Sequence, residues 1–164
     1  MIFQNNMSKR ANLYTGRAGH LAVMAELLLR GWNTAIPEVD VGDDIFVVRD
    51  SDGNMHRVQV KTAMAKMLKS GHSAQFNLSH PQLSTPITPE LIYVFATRLH
   101  DHWDAFVVID RATLYEEHRL HEIGKEREDR LTLRLRFTST SVTCGQRDLS
   151  QYRNNWTRFP IIEH

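Results

Sequence analysis

Residues 40–62 read Asp-Val-Gly-Asp-Asp-Ile-Phe-Val-Val-Arg-Asp-Ser-Asp-Gly-Asn-Met-His-Arg-Val-Gln-Val-Lys-Thr. Two apolar runs, Ile45–Val48 and Met55–Val60, lie on either side of the polar segment Asp50–Asn54. Polar residues with Gly and Asn between two short apolar runs are typical of a β-hairpin, because Gly and Asn tolerate the backbone angles of a tight turn. The segment therefore predicts a pair of antiparallel strands.

The reactive side chains of this hairpin lie at its open end. Gln59 and Lys61 share one face of their strand, because side chains two residues apart point the same way, and Val60 points into the core. The pairing brings Asp43 and Asp44, at the start of the first strand, beside them. An acid, an amide oxygen and an amine in one place are suited to hold a divalent metal ion against a phosphodiester.

A helix is predicted before the hairpin. Thr15 can cap a helix over residues 17–30, and Gly31 can end it. The helix opens with Gly16-Arg17-Ala18-Gly19-His20 and continues into a Leu-rich segment. Because apolar residues cover more than one stripe of this segment, the helix is expected to be largely buried.

The order of this helix, Asp44 and Gln59-Val60-Lys61 resembles the PD-(D/E)XK nuclease superfamily, which includes many restriction enzymes, Holliday-junction resolvases and some homing endonucleases. The resemblance covers residues 15–62 in detail and the rest of the chain as a pattern of elements. His20 stands where the family often has Glu. Gln59 stands where an acid is common, although a Gln variant is known in the superfamily.

The resemblance implies an α/β fold with a restriction-endonuclease-like core, a central mixed β-sheet flanked by helices. It also implies a metal-dependent endonuclease that hydrolyses DNA phosphodiester bonds. Asp44, the Gln59 side chain and the Val60 backbone carbonyl are then the expected metal ligands. Lys61 is expected to orient the attacking water and stabilise the developing charge. Mg²⁺ is the expected cofactor, and Mn²⁺ becomes the alternative if His20 is a ligand.

Alternatives remain open at this point. Asp43 competes with Asp44 for the metal, and Asp44 is preferred because it directly precedes the apolar Ile45. His20 is either a metal ligand or general base, or a histidine with a purely structural role at the start of the helix. Since His20 and Gln59 both depart from the family pattern, a non-catalytic nucleic-acid-binding or interaction module that keeps the fold is the alternative function.

Composition adds broader limits. The 164 residues, 41% of them hydrophobic, fit one domain over residues 1–164, with 1–14 as a loose N-terminal segment. No run approaches the roughly 20 apolar residues of a membrane-spanning helix, and the first residues lack a signal-peptide pattern. Cys144 is the single cysteine, so a disulfide within the chain is excluded and a cytoplasmic protein is expected.

The net charge of +1 does not by itself indicate a nucleic-acid partner, but the positive charges are clustered. The predicted DNA-binding residues are Arg17, Lys66, Lys69, Arg134 and Arg136. Arg134 and Arg136 lie on the polar face of a cleanly alternating strand, where the other reading is pairing with Glu126 or Glu128. A homodimer is a further expectation, because cutting two DNA strands needs two sites.

The remaining chain predicts an α/β order. Residues 63–90 are expected to be irregular because of their prolines, and 121–130 to be a charged loop. His118 and His121 are expected to lie on the surface, since no third metal ligand is assured near them. Strands are expected near 34–40 and 131–142, and the continuous apolar runs at 91–97 and 105–109 predict buried central strands. Further elements are a helix capped by Asp110 and a helix over 149–156 that docks Trp156 and Phe159 on the core.

Overall fold

The computed structural model describes residues 2–39 and 41–163, with side chains described from residue 10 onward. The elements in chain order are α1 (Ile2–Leu29), β1 (Asn33–Ala35), β2 (Ile45–Val48), β3 (Met55–Met64), β4 (Lys66–Met67), β5 (His72–Ser79), α2 (His80–Ser84), β6 (Leu91–Leu99), β7 (His102–Asp110), α3 (Arg111–His121), β8 (Lys125–Arg127), β9 (Arg130–Phe137), β10 (Val142–Cys144), β11 (Arg147–Asp148) and a 3₁₀ turn (Ser150–Tyr152).

The first sheet has the strand order β1-β2-β3-β6-β7. β3 and β6 run parallel, with Val60 opposite Val94, and the other neighbouring pairs are antiparallel. The predicted hairpin is confirmed as β2 and β3, and the expected α/β fold with a central mixed sheet is confirmed as well. β6 is a central strand as predicted, whereas β7 lies at the edge of the sheet.

The second sheet has the order β11-β10-β9-β5-β4, with β8 also paired to β9, and its pairs are antiparallel. β5 lies in the segment expected to be irregular, and β8 in the expected charged loop; both expectations were wrong. In β5 the residues Ala74, Phe76 and Leu78 alternate with polar ones, a strand pattern that the flanking Gly71 and the later prolines obscured. β8 is fully exposed and has no apolar pattern.

Helix α1 begins at Ile2, so residues 2–14, expected to be loose, are helical. Thr15 is an interior residue of this helix, whose hydroxyl donates to the Ala11 carbonyl. The helix is also less buried than its apolar content predicts. Val23 and Leu27 are fully buried, whereas Leu21 and Leu28 are each about half exposed.

Two apolar cores lie on the two faces of the first sheet. Tyr93 and Phe95 of β6 face a core shared with β5, β9 and α3. Val94 and Ala96, on the opposite face, pack with α1 and with Trp156 and Phe159 near the C-terminus. The docking of that C-terminal segment is confirmed, although its ordered element is the 3₁₀ turn rather than a longer helix. Burial on both faces explains why β6 is apolar throughout.

The helices of the described residues include none with the length and apolarity that a membrane span requires.

Candidate functional site

The open end of the hairpin is closed by the Asp44 side chain. β2 pairs with β3 only up to Ile45 opposite Val58, and β3 continues past this point to Met64. Backbone N–H and C=O groups that have no neighbouring strand need another hydrogen-bond partner. The Asp44 carboxylate provides it, because its Oδ2 accepts a 2.7 Å hydrogen bond from the Val60 amide. Asp44 is thereby held against the residue between Gln59 and Lys61.

Helix α1 brings His20 to the same place. Gly19 lies so close to β3 that a Cβ atom there would be 1.9 Å from the Thr62 hydroxyl, and only glycine allows this approach. The next residue, His20, has its Nε2 atom 3.6 Å from the Asp44 Oδ2 atom, with the two side chains 22% and 16% exposed. The structure therefore brings Asp44 and His20 together, with solvent access to both.

Asp43 has different surroundings from Asp44. It is 2% exposed, and its Oδ2 lies 3.3 Å from the Arg57 Nη1 atom. The separation is within ion-pair range, but the geometry does not give a hydrogen bond to that oxygen. Because Asp43 is buried against a cation while Asp44 reaches the Val60 amide and solvent, Asp44 is the better placed candidate.

Gln59 is 6% exposed, and its neighbour on β6 is Tyr93. Within the described part of the chain, its side-chain oxygen has no hydrogen-bond partner. Lys61 lies two residues further along the same face of β3 and is half-buried. Burial raises the pKa of Tyr93, so this phenol stays neutral beside Gln59.

The chemistry of these donors fits a hard divalent cation. Asp44 offers a carboxylate, and Gln59 offers a buried carbonyl oxygen whose lack of a partner costs about 1–3 kcal/mol. The carbonyl of a strand residue points to the same edge as its amide, so the Val60 carbonyl faces the edge where Asp44 binds. Oxygen ligands of this kind are those that Mg²⁺ prefers.

Two residues that position the acidic segment were missed by the sequence analysis. Gln82 of α2 donates from Nε2 to the Gly42 carbonyl at 2.8 Å. Gly42 has a φ of +102°, and a Cβ atom there would lie 2.1 Å from the same Nε2 atom. The glycine in Val-Gly-Asp-Asp was a visible signal for a special backbone conformation, whereas the contact with Gln82 joins residues far apart in sequence.

Two of the predicted DNA-binding arginines, Arg134 and Arg136, lie on the outer face of the second sheet. Arg134 donates to the Gln75 side chain at 3.1 Å, and Arg136 donates to the Ser70 hydroxyl at 3.1 Å. Neither forms an ion pair within residues 10–39 and 41–163, so the expected pairing with Glu126 or Glu128 is not found. Their positive charges remain available to an anion.

A cleft of about 770 Å³ connects the face that carries Arg134 to the end of β3, the strand of the Gln59-Val60-Lys61 motif. Its lining includes Lys66 and Arg134, together with Thr62, which directly follows Lys61. Lys69 and Arg17 are both exposed, Lys69 after β4 and Arg17 on α1. The structure thus brings Lys66 and Arg134 into one cleft.

Three potential metal ligands lie together elsewhere on the fold. The ligand atoms of His80, His118 and Glu126 are all within 4.8 Å of one another. His118 was expected on the surface because no third ligand was assured near it, but its side chain is only 15% exposed. Its partners His80 and Glu126 lie outside its own helix, so no local pattern pointed to them.

Comparison with known proteins gives a likeness of fold. The chain is similar to a solved structure of a bacterial homing endonuclease, I-Ssp6803I, with 18% sequence identity and a TM-score of 0.54. The alignment covers 87% of this chain and 86% of that one. The likeness extends over most of both chains and shows a shared fold. No family model matches the sequence, and no curated protein matches it.

Proposed function

We propose that residues 1–164 act as one domain of the PD-(D/E)XK superfamily, a metal-dependent endonuclease that hydrolyses DNA phosphodiester bonds. The observation that carries this proposal is the 2.7 Å hydrogen bond between Asp44 and Val60. It fixes an acid at the middle of the Gln59-Val60-Lys61 motif, with His20 next to it. The likeness of fold to a homing endonuclease supports the same conclusion.

Mg²⁺ is the proposed cofactor, and Mn²⁺ is the alternative. Asp44, the Gln59 side-chain oxygen and the Val60 carbonyl would hold the ion. When bound, it would polarise a phosphoryl oxygen and lower the pKa of a water molecule. With Gln59 in place of an acid, these ligands carry one negative charge fewer than an acidic motif would, so metal binding is expected to be weak.

Lys61 is the proposed charge-stabilising residue. It shares the Gln59 face of β3, and its amine orients the attacking water and stabilises the negative charge that develops on the phosphate. His20 lies 3.6 Å from Asp44 and either adds an imidazole ligand or holds the carboxylate in place. An imidazole ligand would shift preference from Mg²⁺ towards transition ions such as Mn²⁺.

DNA is the proposed substrate, and the second sheet is the proposed binding face. Gln75 and Arg134 are opposite one another in register, as are Ser73 and Arg136, which gives a polar face with amide and guanidinium groups. Such side chains bind phosphates and base edges, and a β-ribbon fits the major groove. Lys66, Lys69 and Arg17 would add phosphate contacts around the cleft.

We also propose a homodimer, formed through helix α1. Its exposed face carries Tyr14, Leu21 and Leu28, which are 68%, 52% and 53% exposed. Ala18 and Ala25, also exposed, lie between them and complete the 4-3-4-3 spacing of a helix-pairing seam. An antiparallel pair centred near Leu21 would pack this seam against the same seam of a second copy, as a two-fold symmetric dimer requires.

Light scattering on the purified chain tests the dimer. We expect a dimer for the wild type and a monomer for the double variant Leu21→Glu/Leu28→Glu. Leu120→Glu is the matched control, because Leu120 is an exposed leucine on another helix. A monomeric wild type would refute the proposal, as would a double variant that stays dimeric.

A non-catalytic DNA-binding module is the second candidate. Gln59 and His20 stand where the superfamily commonly has acids, and neither carries a negative charge. Because this weakens metal binding, both residues favour the non-catalytic module. The two functions are separated by incubating chelator-treated protein with duplex, single-stranded and branched DNA, with and without Mg²⁺, Mn²⁺ or Co²⁺. Metal-stimulated cleavage that is lost in Lys61→Ala would support the nuclease. DNA binding without cleavage under every condition would support the module.

A further inference from the structure

We propose that His80, His118 and Glu126 form a Zn²⁺ site that is separate from the hairpin site and independent of the proposed nuclease function. The three residues come from the start of α2, the last turns of α3 and the short strand β8. None of these elements carries a residue of the Asp44–Lys61 motif. Two imidazoles and one carboxylate are a known ligand set for zinc.

The separations suit a shared ion. His80 Nδ1 lies 3.6 Å from one carboxylate oxygen of Glu126, and His118 Nε2 lies 3.7 Å from the other. These distances are too long for hydrogen bonds. Ligands on one tetrahedral zinc ion are about 3.3–3.6 Å apart, given Zn–N and Zn–O bonds of about 2.0–2.2 Å. The two nitrogen–oxygen separations are thus close to those of zinc ligands, and the ligand atoms of all three residues lie within 4.8 Å of one another.

The hydrogen bond on the other side of the His118 ring leaves a nitrogen free to ligate. Its Nδ1 atom lies 2.8 Å from the Ile123 carbonyl oxygen, which can only accept, so Nδ1 carries the proton. In the neutral ring, Nε2 then presents a lone pair towards the negatively charged Glu126. A cation bound between two such electron-rich atoms would be stabilised by both, and a ligating histidine is commonly fixed by such a carbonyl.

His80 is held by the backbone around it. Its amide donates to the Asp129 carbonyl at 2.8 Å, and Ser79 caps the helix that follows. The rings of His80 and His118 contact each other with centroids 5.8 Å apart. Glu126 is 47% exposed, so solvent reaches the site and could supply a water as a further ligand. An ion here would join α2, α3 and β8.

Zinc titration of chelator-treated protein tests this site. The Asp44→Ala variant is used as the starting protein, so that the hairpin site does not contribute. We expect it to bind one Zn²⁺ per chain by calorimetry. Adding Glu126→Gln should weaken binding at least about tenfold, because a charged ligand is lost. Adding His121→Ala, the neighbouring exposed histidine, should leave binding unchanged.

Thermal unfolding gives a second measurement that does not depend on activity. Zn²⁺ should raise the unfolding temperature of the Asp44→Ala protein and of its His121→Ala derivative, but not that of its Glu126→Gln derivative. Glu126 contacts the two imidazoles from an exposed position, so the Gln variant should fold, and circular dichroism checks this. An Asp44→Ala protein that binds no Zn²⁺ would overturn the proposal, as would a Glu126→Gln derivative that binds it equally well.

Discussion

The Val60 amide donates a 2.7 Å hydrogen bond to the Asp44 carboxylate, at the point where β2 ends and β3 continues. The contact joins an acid to the centre of the Gln59-Val60-Lys61 motif through the backbone of the motif itself. Because the donor is a backbone group, the position of Asp44 does not depend on a flexible side chain. This relationship leads to the first prediction.

Asp44→Asn should remove the negative charge of residue 44 and keep its hydrogen bond to Val60. The amide oxygen of Asn can still accept from Val60, so the fold and the unfolding temperature should be nearly unchanged. Loss of the negative charge should reduce metal-dependent DNA cleavage by about two powers of ten or more. Plasmid-nicking rates and thermal unfolding on the same preparation measure both effects. Asp44→Asn activity close to that of the wild type would remove Asp44 from the metal site.

Asp43→Ala is the matched comparison, and it should lower stability while leaving the cleavage rate per folded molecule nearly unchanged. Asp43 is buried beside Arg57, and its loss leaves that guanidinium without its acid. We expect a loss of about 1–3 kcal/mol in the free energy of unfolding. Denaturant unfolding measures it, with activity expressed per folded molecule. Unchanged stability together with abolished cleavage would instead favour Asp43 as the metal ligand.

Lys61→Ala should affect catalysis far more than DNA binding. Removal of one preorganised charge-stabilising group typically lowers a rate by about 10²–10³-fold. The dissociation constant for DNA should change little, because one phosphate contact among several supplies a modest share of affinity. Single-turnover cleavage and fluorescence anisotropy with the same duplex measure the two quantities. Equal losses in both would identify Lys61 as a binding residue.

His20→Glu should shift the metal preference of cleavage towards Mg²⁺. Carboxylate is a harder ligand than imidazole, and His20 lies 3.6 Å from Asp44. The measurement is the ratio of cleavage rates in Mg²⁺ and Mn²⁺, compared with the wild type. His20→Gln is the control without added charge. If the ratio is the same in all three proteins, His20 has a structural role.

Arg134→Gln and Arg136→Gln should weaken DNA binding and its salt dependence. Each lost phosphate contact should reduce the slope of log affinity against log salt by about one. Arg119→Gln, an exposed arginine on α3, is the control and should leave both unchanged. Anisotropy titrations at several salt concentrations give the slopes. A wild-type slope in Arg134→Gln and Arg136→Gln would exclude this face as the DNA surface.

Acid should weaken the contact between Glu117 and Arg147. Arg147 donates two hydrogen bonds to Glu117, at 2.7 and 2.9 Å, and they lower the pKa of Glu117. A carboxyl group with a lowered pKa stabilises the fold above its unfolded pKa of about 4.3, and this contribution is lost as the pH falls through the folded value. Arg147→Met should therefore be less stable than the wild type near neutral pH. Urea unfolding across pH should show that difference shrinking in acid, whereas a constant difference would exclude the ionic origin.

Local patterns in the sequence were enough to predict the hairpin and the strand face that carries Gln59 and Lys61. The turn at 50–54 lies between two apolar runs, and the two-residue period of a strand puts Gln59 and Lys61 on one face whatever lies around them. The apolar run of β6 likewise predicts a buried strand. β5 was missed although it alternates, because prolines and glycines around it suggested irregular structure.

Contacts between distant segments were decided only by the tertiary structure. The close packing of Gly19 on Thr62 sets where His20 meets Asp44, and Arg57 distinguishes Asp43 from its neighbour. The joining of His80 with His118 and Glu126 also has no local signal. A strand or turn follows from the period and conformational freedom of adjacent residues. A site of this kind depends instead on the packing of whole elements, which buries apolar faces and so fixes which polar side chains meet.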